Sequence, residues 1–191
     1  SERALAFLIK NAKALSLDLS HQIKMGAVGY VVSVKLLDSE ALLSRLPGAD
    51  VNSLMSALAK NVQNAGYGDI LYRYDTFELA FLLVSYTKSK INDFVEEIAS
   101  LLTDQIDVKD VSFKPRLAYS AIAYPNDANN TKEVMSLIHS ELGRSETFGD
   151  GYLAEVANKH PRKALRDEYI IDCLSDSLSR DEMPIAIQGV I

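Results

Sequence analysis

Apolar residues recur along this chain with two distinct periods. Leu5, Leu8, Ile9, Ala12, Leu15 and Leu19 fall on one face at helical spacing, which predicts a helix over 2–22. Residues 27–37, rich in Val and bounded by Gly26, predict a buried strand. A short helix follows over 38–46 and is broken by Pro47-Gly48. Asp50 is placed to cap the next helix, whose stripe is Val51, Leu54, Met55, Leu58 and Val62. A hairpin of strands 69–74 and 77–85 comes next, then a helix over 88–103 with Ile91, Phe94, Val95, Ile98, Leu101 and Leu102 on one face. A strand over 112–124 stops at Pro125-Asn126-Asp127, and a helix over 131–143 turns Val134, Met135, Ile138 and Leu142 inward. Beyond the Gly149-Asp150-Gly151 break the pattern predicts a helix over 162–180 and a strand over 184–191. Elements in this order give an α+β fold, with a mixed sheet of about five strands flanked by helices and a C-terminal helix and strand.

Composition narrows the class. The 191 residues are 48% hydrophobic and 24% charged, enough apolar material for a sizeable core and an ordinary surface. A net charge of −6 argues against the whole domain binding nucleic acid electrostatically. The single cysteine, Cys173, rules out an intrachain disulfide. No apolar run is long enough to span a membrane. The final stretch Pro184–Ile191 reads like a strand cut short, so the expectation is a cytoplasmic piece of a longer protein, one that could be anchored in the inner membrane elsewhere.

The hairpin carries chemistry. Asp69-Ile70-Leu71-Tyr72-Arg73-Tyr74-Asp75-Thr76-Phe77-Glu78-Leu79-Ala80-Phe81-Leu82-Leu83 resembles the signature hairpin of GGDEF (diguanylate cyclase-type) domains. Arg73 and Tyr74 match its lead-in, Glu78 its second acid and Ala80 to Leu83 its second strand. Asp75 and Thr76 stand for the two glycines, Phe77 for the first acid and Leu79 for the aromatic. The resemblance places Lys35 on a metal-binding Asp of the family, Leu37 on the second Asp of that strand, and Leu43 and Asn52 on the guanine-reading Asn and Asp. Arg116 to Pro125 is similar to the family's strand that ends in Tyr-Pro. Of the Arg-x-x-Asp product site only Asp69 is present, in Gly66-Tyr67-Gly68-Asp69. Leu178 to Gln188 is similar to the opening of an EAL phosphodiesterase domain. The resemblance therefore implies a degenerate GGDEF domain over 1–150, then over 151–191 an interdomain helix and the first strand of a truncated EAL domain.

That likeness implies lost catalysis. A cyclase needs hard carboxylate oxygens for its metal and glycines for close approach to phosphate. Lys35 and Phe77 supply no carboxylate, and Asp75 and Thr76 add side chains at the turn. No catalytic residue, cofactor or metal is expected, and Lys35, Leu37, Leu43, Asn52, Asp69, Arg73, Asp75, Thr76, Phe77 and Glu78 remain as the vestigial pocket. Plainer readings stand beside this one. Glu78 is a solvated or hydrogen-bonded hairpin residue, Lys35 covers an edge of the old pocket, and Arg73 pairs with Asp75 or Glu78 across the turn.

The functions implied by the resemblance are a regulatory or scaffolding module for an adjoining EAL domain, or an allosteric GTP sensor controlling it. An active cyclase would need other carboxylates near the turn, and only Asp38, Asp75 and Glu78 are available. Asp75-Thr76-Phe77-Glu78 is also similar to the signature of the carbon-storage regulator D (CsrD) type, which implies turnover of small regulatory RNAs through a ribonuclease partner. The basic cluster Lys159–Arg166 could touch RNA, with a solvated helix start as the alternative, and the helix over 2–22 could pair with its copy in a homodimer.

Overall fold

The computed structural model describes residues 9–166. Within them the first helix begins later than its apolar stripe. Lys10–Asn11 (β1) lie extended, and the Asn11 side chain caps Ala12–Lys24 (α1) by accepting from the Ala14 N–H. The stripe buries Leu15 and Leu19. The strand Gly29–Leu36 (β2) follows, then Ser39–Ser44 (α2) and Val51–Val62 (α3). Asp50 does cap α3, accepting from the Ser53 N–H at 2.7 Å. Gly66, at φ +97°, turns the chain out of a widened, π-type turn over Gln63–Tyr67 that follows α3. The hairpin is Leu71–Asp75 (β3) and Glu78–Val84 (β4), and Thr87 caps Lys88–Leu102 (α4).

The next stretch differs from expectation. A small hairpin, Ile106–Val108 (β5) with Val111–Phe113 (β6), precedes Leu117–Tyr124 (β7). The single strand expected over 112–124 is therefore two, interrupted around Pro115, which has no N–H to give to a ladder. Asn130 caps Thr131–Phe148 (α5), which runs on past Gly143. Beyond it Arg144 donates to the carbonyls of Glu155 and Asn158, and buried Ser145 donates to that of Tyr152, which offsets the glycine's helix-breaking tendency.

The chain does not leave the domain at Gly149-Asp150-Gly151. Both glycines adopt positive φ, Asp150 Oδ1 accepts from the Leu117 N–H, and the Gly151 N–H donates to the Leu117 carbonyl, each at 2.7 Å. This is a tight turn into Tyr152–Glu155 (β8), parallel to β7, and then Arg162–Lys163 (β9), antiparallel to β8. The sheet thus continues past the boundary expected near 150, and Arg162–Lys163 are strand where a helix was expected. The rest of that helix, the strand over 184–191 and the EAL-like opening lie outside the described residues.

Among the described residues the mixed sheet has seven strands, in the order β1-β3-β4-β2-β7-β8-β9. Five longer strands form its body, as expected, with two-residue strands at its edges. Side chains alternate between two apolar layers. Val32, Val34, Leu79, Phe81 and Tyr119 pack under α3 and α4, and Val31, Leu82, Ile122 and Tyr124 pack under α1 and α5. Among the described residues no helix is long and apolar enough to cross a membrane.

Candidate functional site

The tip of the β3–β4 hairpin lies beside the end of β2, because Lys35 and Glu78 are directly opposed across those strands. The register slips between Arg73 and Asp75, which gives the tip its bend. Asp75 closes the turn by accepting the Thr76 N–H at 2.7 Å. Phe77 is turned away from the tip. Its ring packs against the α3–α4 core and its carbonyl accepts from the Leu36 N–H at 2.9 Å. The side chain at this position therefore serves the core and offers nothing to a ligand above the turn.

Arg73 does not pair across the turn with Asp75 or Glu78. Its guanidinium donates to Asn52 Oδ1 at 2.5 Å and to the Thr76 carbonyl at 3.1 Å. The hairpin tip is thereby tied to the first turn of α3, and the Asn52 amide oxygen is occupied.

Lys35 reaches across to α5. Its ammonium lies 2.8 Å from Glu146 Oε2, and the two side chains are 33% and 43% exposed, so the pair is partly shielded. Glu78 is buried, and its carboxyl sits above the ordinary carboxylate range. Burial contributes most to that rise and Asp75 adds to it; Lys35 and His139 oppose it, and Glu146 reinforces it. Glu78 is thus not the solvated hairpin residue of the plainer reading. Beneath this cluster Ser33 and Ser120 face each other across β2 and β7, with buried hydroxyls that have no hydrogen-bond partner among the described residues.

The remaining expected positions contribute little polar chemistry. Leu37 is buried, with its N–H on the Arg116 carbonyl at 2.8 Å, and Leu43 is half-buried against the α3–α4 core. Asp69 precedes the opposite end of β3, away from the tip, where its carbonyl accepts from Lys10 Nζ at 2.6 Å. The structure therefore gathers Lys35, Asn52, Arg73, Asp75, Thr76 and Glu78 near the tip, and leaves Leu37, Leu43, Asp69 and the Phe77 ring out of it. Sequence reasoning missed Glu146. It is 111 positions from Lys35, and no local spacing joins them.

This donor set does not fit a divalent cation. Such an ion needs several converging oxygens, whereas here an ammonium takes up Glu146 and lies in the field of Glu78. Among the described residues no cluster of three or more His, Cys, Asp or Glu side chains could hold a metal.

With the geometry in view, comparison with solved structures is informative. The chain has the fold of GGDEF domains. It is similar to the GGDEF domain of YfiN (TpbB) from Pseudomonas aeruginosa, with a TM-score of 0.71, 12% identity, and coverage of 80% of this chain and 99% of that one. The FimX GGDEF domain from the same organism gives 0.67 and 14%, covering 78% and 96%. The GGDEF domain of DgcB from Caulobacter crescentus, solved in complex with c-di-GMP, gives 0.69 and 12%, covering 80% and 94%. No protein-family model and no curated protein matches the chain.

Proposed function

We propose that this chain is a non-catalytic GGDEF-type domain serving as a regulatory or scaffolding module in a cyclic di-GMP signalling protein. In this reading an EAL domain adjoins it, and the CsrD-like signature points to a role in small regulatory RNA turnover through a ribonuclease partner. The observation that carries the proposal is the Lys35–Glu146 pair beside buried Glu78. A metal-dependent nucleotidyl transfer gathers carboxylates around a cation. Here the cation is a fixed side chain, and it would repel an incoming metal. At ~4 Å and an effective dielectric of about 20, each unit of charge is worth roughly 4 kcal/mol. Phe77 adds to this by offering a core-packed ring where the signature has a carboxylate, and Asp75 and Thr76 add side chains where it has flexible, close-approaching glycine backbone.

The test is calorimetric titration with GTP and with cyclic di-GMP, each with and without Mg²⁺, alongside a product assay. The expected outcome is no heat, no thermal shift and no cyclic dinucleotide. Micromolar GTP binding without product would replace the scaffold by the allosteric GTP sensor. Product formation would overturn both.

A further inference from the structure

The exposed side of α4 carries a second candidate surface, remote in chemistry from the hairpin tip. Two grooves of about 480 Å³ each share Asp93 and Glu97 and so run together along the helix. In the first, Arg166 lies between two carboxylates, with Nη2 3.2 Å from Asp93 Oδ1 and Nε 2.9 Å from Glu96 Oε2. The second is walled by Tyr67 and Tyr86, whose rings meet Phe94 edge-on at 5.4 and 5.9 Å. The Tyr67 hydroxyl donates to Glu97 Oε2 at 2.6 Å, which fixes that carboxylate at the groove. Burial, and then that bond, push the Tyr67 hydroxyl up to about 12, so it stays a donor at neutral pH. Lys90 also lines this groove and is its single cation among the described residues.

We propose that the α4 groove docks a basic segment of a partner protein, seating an arginine or lysine side chain against the Tyr67 and Tyr86 rings with its charge toward Glu97 and Asp93. Three observations commit the surface to this occupant. Aromatic faces beside carboxylates favour a cation, guanidinium above all. The protein already seats one guanidinium, that of Arg166, on the adjoining carboxylates of the same groove. The same carboxylates repel phosphate, which sets RNA aside on this face. The neighbouring basic stretch points the same way. Arg162 donates to Asn92 Oδ1 at 2.6 Å, so two arginines of that stretch are spent on α4 itself.

The inference does not depend on whether the hairpin tip binds nucleotide. Fluorescence anisotropy of the full chain with a labelled arginine–glycine peptide tests it, with a glutamate–glycine peptide and a short single-stranded RNA as comparison probes. Saturable binding of the basic peptide alone is expected. Asp93→Asn with Glu97→Gln should weaken it about tenfold, as the loss of two charge contacts implies. Glu40→Gln with Glu133→Gln, which removes the same charge from exposed sites elsewhere, should leave it unchanged. Tyr86→Leu should weaken it with net charge unaltered. Arg166→Ala should strengthen it by freeing Asp93 and Glu96, where Lys132→Ala should not. An equal loss in both double variants would reduce the effect to general attraction by an acidic surface and overturn the proposal. So would preferential binding of RNA, or no saturation with the basic peptide. Circular dichroism of each variant confirms folding, and the exposed Asp93 keeps the test open if Tyr86→Leu fails to fold.

Discussion

Glu78 is a carboxylate that folding removes from water. Its carboxyl is raised above its ordinary value of 4.5, first by burial and next by Asp75, and Lys35 and His139 only partly oppose this. The folded state therefore holds the Glu78 proton more tightly than the unfolded chain does. Its favourable contribution is complete below the ordinary value and is lost as pH rises through the raised one. Glu78→Gln should accordingly be more stable than the parent at neutral pH, with the gap closing below pH 4.5, as urea midpoints at both pH values will read. Lys35→Met should do the reverse. It strips Glu146 of its partner and removes the largest opposing charge near Glu78, so it should lower stability by about 0.5–1 kcal/mol and move the Glu78 titration further upward by NMR. Among the ten positions of the vestigial pocket, the sequence marked Lys35 through its place on a metal-binding Asp of the family's first strand and Glu78 through its place in the signature-like hairpin. It could not show that Glu78 is buried, nor that Lys35 turns to Glu146. A cross-strand neighbour and an ion pair 111 positions apart are products of strand register and helix packing.

At the scale of elements, legibility tracks the strength of the local signal. The helices α3 and α4 are legible almost to the residue because an apolar stripe and a capping side chain agree at each N-terminus, Asp50 in one case and Thr87 in the other. Asp50 is the sharper of the two to test, since its carboxylate sits below the ordinary range, held there chiefly by the Ser53 N–H. Asp50→Ala should lower the melting temperature, and Asp50→Asn, which keeps an acceptor, should lower it much less. Thermal melts of both variants separate the capping hydrogen bond from charge. The elements that the pattern does not reveal lack such agreement. The β5 and β6 strands are three residues each, too short for alternation to be recognised, and Lys109 and Asp110 both take positive φ without a glycine to announce the turn. The helix expected over 2–22 does not pass through Lys10–Asn11, because Asn11 caps the helix behind it and β1 pairs with β3; its part over 2–8 lies outside the described residues.

For the molecule as a whole, the largest difference between pattern and structure concerns where this body ends. Gly149-Asp150-Gly151 looks like a linker in sequence, yet the chain commits its carboxylate and its amide to β7 and returns to the sheet. The segment from Tyr152 to Ala164 is integral by packing. Leu153 and Ala164 belong to the main core, and Ala154 is fully buried. Arg144 on α5 donates to the carbonyls of Glu155, Asn158 and Lys159, and Ser145 donates to that of Tyr152. A chain ending at residue 150 would uncover the β7 edge, leave unpaired backbone groups there and remove the partners of Arg144 and Ser145. Exposed sheet edges of that kind recruit other strands. Losing the Leu153 side chain alone forfeits about 1.5–3 kcal/mol of burial. A chain covering 1–166 should therefore unfold cooperatively in urea, and one covering 1–150 should have a lower midpoint and self-associate in sedimentation. Equal midpoints and monomeric behaviour for both would instead make β8 and β9 an appendage, and would restore the boundary near 150 that the glycines suggest.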